Sequence, residues 1–163
     1  MTTEMISAAD RQLLQRAVQH FRAAAIEGEL PSLRSAEAAG ALPEEWRWLM
    51  PLHRLLLAHL DDGAPELAIL AEVLACACMG RQHLWQDLGL SGRGDVSRLM
   101  ALAFPRLFRS NVRDLRWKRH LFLSLGQTLG LPDLQPPRCD ECDTRASCLG
   151  APAAVPVQLA LQR

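Results

Sequence analysis

A chain of 163 residues suggests one domain, long enough to hide roughly two-thirds of its unfolded surface in a core. With 49% hydrophobic residues and a formal net charge of zero, it is neither a disordered segment nor a chain built as a whole to bind a polyanion. Tyrosine is absent, Val, Ile, Phe and Thr are scarce, and the helix-favouring Leu, Ala, Arg, Glu and Gln dominate.

In chain order, Ser7 is placed to cap a first helix with Asp10 in its positive first turn. Leu14, Val18, Phe21 and Ala25 recur at helical spacing until Gly28 and Pro31 end it. A short helix is expected from Ser32 to Ala39, closed by Gly40. Pro43 opens a segment carrying Trp46, Leu49 and Met50, which Pro51 is expected to interrupt or kink before a stripe of Leu52, Leu55, Leu56 and Leu60 runs to Gly63. Pro65 opens the next helix, apolar on several sides and therefore central, ending at Gly80. A short helix from Gln82 to Leu88 stops at Gly89. Gly92 caps another, with Val96, Leu99, Met100 and Ala103 facing the core and Pro105 limiting it. Asn111 with Asp114 marks the start of a last long helix to about Leu129, terminated by Gly130 and Pro132. No strand alternation and no internal repeat is visible. The expected fold is all-α, a compact multi-helix domain over 1–132 with a C-terminal Cys-rich cluster-binding loop over 133–150 and a flexible tail over 151–163.

The opening decapeptide MTTEMISAAD has neither a basic n-region nor an apolar h-region. The longest apolar run, Leu67 to Met79, contains Glu72 and is too short to span a bilayer. No membrane partner is expected, and the cytoplasm is the expected compartment. There thiols stay reduced, and clustered cysteines read as metal or cluster ligands.

Three of the five cysteines fall within ten residues, as Cys139-x2-Cys142-x5-Cys148, in a polar, Pro-rich stretch that needs a covalent or metal staple to be ordered. A C-x2-C pair lets two thiolates reach one centre across a tight turn, and a third can return to it after one more loop. Thiolates suit iron–sulfur clusters or zinc. Closed structural zinc wants four ligands, and no fourth Cys or His follows Pro132, so zinc would have to recruit His83, His120 or another distant residue. A cuboidal cluster can be held at three corners, with the fourth open to another metal. A zinc-stabilised helical interaction module therefore remains the alternative to an iron–sulfur protein. Cys76 and Cys78 point about 200° apart on a helix and are read as buried small hydrophobes, with Cys78 a weaker candidate ligand.

The run His83-Leu84-Trp85-Gln86-Asp87-Leu88-Gly89-Leu90 resembles the signature of the NifQ family of nitrogen-fixation proteins. Asn111-Val112-Arg113-Asp114-Leu115-Arg116-Trp117-Lys118-Arg119 resembles that family's second block, and the cysteine loop ending Cys148-Leu149-Gly150 its C-terminus. The likeness runs from about Trp46 to Gly150. It implies an iron–sulfur cluster that takes up molybdenum and a carrier, not an enzyme. Molybdate or a molybdenum–sulfur species would be the cargo, delivered to the nitrogenase cofactor assembly scaffold and its maturation proteins. The family pattern C-x4-C-x2-C-x5-C is incomplete here. Leu134 stands at the first cysteine, and Gly126 where a further cysteine is often seen. The loop is thus a three-thiolate site: three ligands suffice, another residue substitutes, or cluster binding is weakened or lost.

His83 and Asp87 lie four apart on one expected helix face, where a carboxylate can orient an imidazole as a ligand or simply fix a helix end. His83 is the first candidate for an extra metal ligand. Between Arg93 and His120 the chain is strongly basic, and Arg113, Arg116, Lys118 and Arg119 form an expected stripe for an oxyanion or an acidic partner, with a solvated helix face as the alternative. Trp85 and Trp117 are read as packing residues. Nucleic acid is not expected: the cysteine spacing resembles the cluster loop of endonuclease-III-like DNA glycosylases, but that loop would need a cysteine at Pro132.

Overall fold

A computed structural model describes residues 6–137 of the chain. The cysteine loop beyond residue 137 and the tail over 151–163 therefore lie outside the described residues. Among the described residues every regular element is helical.

The first helix, α1 (Ala8–Ile26), starts as its sequence dictates: the Ser7 hydroxyl accepts the Asp10 amide at 3.1 Å and donates to the Asp10 carboxylate at 2.7 Å. Its buried stripe is Leu13, Ala17, Phe21 and Ala24, so the helix is turned by about one residue from the expected face. Leu14, Val18 and Ala25 are only partly buried at the rim of the core. The two alanines let α1 approach its neighbours closely. Ser32 caps α2 (Leu33–Ala38), accepting the Ser35 amide at 3.1 Å.

A 3-10 turn over Glu44–Trp46 leads into α3 (Leu49–Ala58), which contains Pro51 in its first turn. The expected interruption at Pro51 is absent, because first-turn amides have no intrahelical acceptor and a proline there removes no bond. A second 3-10 turn, Pro65–Ala68, continues into α4 (Ile69–Ala77). From Leu70 to Ala77 only Glu72 escapes full burial, so α4 is the central helix, packed by α3 and α1.

The expected helix over 82–88 is one turn, α5 (Leu84–Asp87), with His83 as its N-cap. Then α6 (Arg93–Ala103) buries Val96, Leu99, Met100 and Ala103 as expected. Pro105 does more than limit it: Phe104 turns the chain inside the core and Pro105 starts α7 (Pro105–Ser110). The last helix, α8 (Trp117–Leu129), begins six residues later than Asn111. The Asn111 side chain accepts the Leu115 amide and donates to the Leu115 carbonyl, both at 2.9 Å, closing a turn in place of a first helical turn. Asp114 sits at φ +52 in that turn, and Arg93 secures it with bonds to both Asp114 carboxylate oxygens and to the Asp114 and Leu115 carbonyls.

After Gly130 the chain doubles back along α8. The Leu131 amide bonds the Gly126 carbonyl at 2.7 Å, and a Cβ on Gly126 would collide with the Leu131 carbonyl oxygen, so glycine there permits the reversal. Leu134 packs on the core, and Pro136 and Pro137 arrive beside the first turn of α8.

Candidate functional site

The segment between α4 and α5 is where the molecule gathers its polar chemistry. Lys118, in the first turn of α8, reaches into it and donates to the Asp87 carboxylate at 2.8 Å, the Gln82 carbonyl at 2.6 Å and the Gly80 carbonyl at 3.1 Å. Its three ammonium protons thus have three acceptors. Asp87 also accepts the Gln82 amide at 3.2 Å. The side chains of Lys118 and Asp87 are 14% and 10% exposed, so this is a nearly buried ion pair. Gly80 has to be glycine for it, since a Cβ there would occupy the position of the Asp87 carboxyl group.

Asp87 is therefore held by Lys118. The expected helix face shared by His83 and Asp87 does not form, since His83 precedes α5 as its cap and donates its amide to the Gln86 side chain at 3.1 Å. Cys76 and Cys78 are both buried, as read from the sequence. Burial pushes the Cys76 thiol up, and it pushes Cys78 up to about 12 against the partial pull of Lys118, so neither is disposed to ionise. Among the described residues no three His, Cys, Asp or Glu side chains are grouped to hold a metal. Cys139, Cys142 and Cys148 lie outside the described residues.

Beside the ion pair opens a pocket of about 110 Å³. Its walls are the Gly80–Trp85 segment, Arg93 and Val96 of α6, the turn Arg116–Arg119 that starts α8, and Pro136 with Pro137. His83 lines it, as do Arg81, Arg93, Arg116, Lys118 and Arg119, while no carboxylate of the described residues does. The expected basic stripe is thereby redrawn. Arg113 lies in the turn before α8, exposed and outside the pocket, because the helix starts too late to place it on the same face. Arg81 and Arg93 take part instead. Arg93 stands inside the basic run read from the sequence, whereas Arg81 precedes it, and only its place beside the His83–Leu90 run signals it. Across the 80–83 segment lies a wider cleft of about 480 Å³ whose lining includes Glu29, Glu45 and Asp87 together with His20 and Arg81.

Trp117 packs as expected, 5% exposed, its indole donating to Ser97 at 2.9 Å. It stacks on Phe108 and meets the edge of His120. His120 bonds Ser110 at 2.9 Å and the Leu107 carbonyl at 3.2 Å, and its burial holds the imidazole below its ordinary range.

A family model for NifQ matches residues 3–150, which include all three clustered cysteines. The chain belongs to the NifQ family. It is 35% identical over 108 residues to Protein NifQ of Azotobacter vinelandii, covering 66% of this chain and 54% of that one. It is 35% identical over 100 residues to a Protein NifQ homolog of Sinorhizobium fredii, covering 61% and 44%, and 35% identical over 97 residues to Protein NifQ of Rhodobacter capsulatus, covering 60% and 54%. The chain thus spans about half the length of the curated NifQ relatives it matches. No solved structure matches. The NifQ family is associated with nitrogen fixation. No described helix is long and apolar enough to cross a membrane. Gly126 and Leu134, which stand where the family pattern would place further cysteines, are neighbours: a Cβ on Gly126 would stand 3.1 Å from that of Leu134.

Proposed function

We propose that the chain is an iron–sulfur protein that binds molybdenum and donates it for assembly of the nitrogenase iron–molybdenum cofactor. The observation that carries this reading is the family match, which runs through residue 150 and so takes in Cys139, Cys142 and Cys148. The donor chemistry agrees. The two cysteines of the helical body are buried with thiols pushed up, which leaves the soft thiolates a cluster requires to the C-terminal three. Those three would hold the cluster, which would supply the sulfur chemistry that binds molybdenum, the cargo. His83, in the wall that Pro136 and Pro137 complete two residues before Cys139, is the proposed further ligand. The role is that of a carrier, and the partners are the cofactor assembly scaffold and its maturation proteins.

Metal analysis after anaerobic purification tests the reading. Iron with acid-labile sulfide and a brown chromophore is the expected result; one zinc per chain without colour would replace it with the zinc-stabilised interaction module. Cys142→Ala is expected to abolish cluster content and molybdenum delivery while circular dichroism still reports a helical protein. Unchanged metal content in that variant would refute the ligand assignment.

A further inference from the structure

The pocket beside α8 combines an apolar wall with exposed cations. The wall is mostly apolar, from Leu84, Trp85, Val96, Trp117, Pro136 and Pro137. Two of its lining residues, Arg81 and Arg116, are exposed. Neither has an ion-pair partner among the described residues, whereas Lys118 is paired with Asp87 and Arg93 with Asp114. Water gains nothing from such a wall, and an apolar side chain seated on it would be stabilised by leaving water. The side chain that fits best is one carried on a chain segment with carboxylates, to meet the two free guanidinium groups.

The place where the described chain ends points to that segment. Pro137, the last described residue, is itself part of the wall, so the residues that follow start out from the pocket. From Arg138 to Gly150 they include one large apolar side chain, Leu149. They also include Asp140, Glu141 and Asp143 within four positions, while Arg138 and Arg145 lie outside that acidic run. Asp140 stands three residues past Pro137, within about 10–11 Å of it at full stretch. Eleven residues separate Pro137 from Leu149. That length falls inside the roughly 6–16 residues of compact surface loops whose ends lie close together. The apolar residues further on, Val155, Val157, Leu159 and Leu161, lie beyond residue 150, where the family match stops.

We infer that the chain closes back on this pocket, with Leu149 seated against its apolar wall and the carboxylates of Asp140, Glu141 and Asp143 beside Arg81 and Arg116. The pocket is then the seat of the cysteine loop and both feet of the loop stand on it. Cys139 follows one foot and Cys148 precedes the other, so residues nine positions apart are brought together before any metal arrives. A donor set gathered in advance loses less freedom when a metal binds. The inference rests on the proposed function only for this purpose; the closure is read from the pocket and the sequence of the segment, and needs no metal.

The test uses the full chain without metal. Cys76 and Cys78 are buried, so a nitroxide spin label attaches to the C-terminal thiols alone. Three variants, each with two of Cys139, Cys142 and Cys148 replaced by Ser, carry the label at one position apiece. Broadening of the amide NMR signals of Arg81–Trp85 and Trp117–Arg119 is then read. The label at Cys148 should broaden them as strongly as the label at Cys139, and both more strongly than the label at Cys142. A steady fall from Cys139 through Cys142 to Cys148 would mean a segment held only at Pro137, and would overturn the closure. Leu149→Ser should remove most of the broadening from Cys148; an unchanged effect in that variant would overturn the seat. Arg81→Glu with Arg116→Glu should weaken the broadening, and adding Asp140→Lys with Glu141→Lys should restore it. Both arginines are exposed, so their replacement leaves the helical body intact as the reference. Broadening from Cys148 that vanishes when the chain is ended at Gly150 would assign the pocket to residues 151–163 instead. Broadening of an isotope-labelled, spin-free chain by a spin-labelled one would assign it to a second copy. Either result overturns the inference. Iron, sulfide and zinc content bear on the proposed function alone, so the two can fail separately.

Discussion

Lys118 holds three oxygens at once, on Asp87, Gln82 and Gly80, and so joins α8 to the segment before α5. Removing one partner of a buried pair leaves the other charge without compensation. Lys118→Met is therefore expected to lower unfolding free energy by about 3–5 kcal/mol in urea titrations. Adding Asp87→Leu should restore part of the loss, and a double-mutant cycle measures the coupling. Gly80→Ala tests the same pair from the backbone side: its methyl group must displace the Asp87 carboxylate, at a cost of about 1–3 kcal/mol. His120 gives a pH signature. Burial lowers its proton affinity, the Leu107 carbonyl opposes this in part, and Arg113 adds to the lowering. The fold thus prefers the neutral ring, so its contribution is intact above the ordinary imidazole value near 6.5. It is lost as pH falls below that value, until the lowered folded value is passed and both states are protonated. His53, also lowered by burial, acts in the same direction. His120→Gln should accordingly shrink, without abolishing, the drop in urea midpoint between pH 7 and pH 5.

Most helices could be read in advance because their signals are local. Ser7 and Ser32 cap where a hydroxyl before an apolar period should cap, and the stripe Val96, Leu99, Met100 and Ala103 lies in the core as its spacing requires. The start of α8 could not be read this way. Asn111 followed by Asp114 has the form of a helix start, but Arg93 decides the matter from 21 residues away by gripping Asp114 in a left-handed turn. The ion pair escaped for the same reason: Asp87 had a local candidate in His83, while its actual partner stands 31 residues on. The pocket is a product of such distant bonds, so its basic residues were legible by type and not by position. Asn111→Ala removes both side-chain bonds to Leu115 and should destabilise by about 1–2 kcal/mol, seen as a lower melting temperature with helix content nearly unchanged.

Across the whole molecule, two of the five cysteines belong to the core. Cys76 and Cys78 lie inside the central core, where reagents reach them only when the fold opens. In the metal-free native protein their modification by a thiol reagent should proceed at the rate of global opening and accelerate sharply once urea passes the unfolding midpoint. Fast modification of either under native conditions would contradict the packing around α4.

The return of the chain along α8 has a mechanical consequence. Leu134 is fixed beside Gly126, and Pro136 and Pro137 lie by the turn Arg116–Arg119. Seven residues of helix separate Gly126 from Arg119, about 10 Å of axis, while three residues from Leu134 to Pro137 stretch at most about 10–11 Å. The connection is a short tether, and its length limits how far the prolines can stand from that turn. Deleting Gln135 should draw the prolines out by about one residue's span, roughly 3.3 Å, whereas inserting a glycine there would give the tether free play.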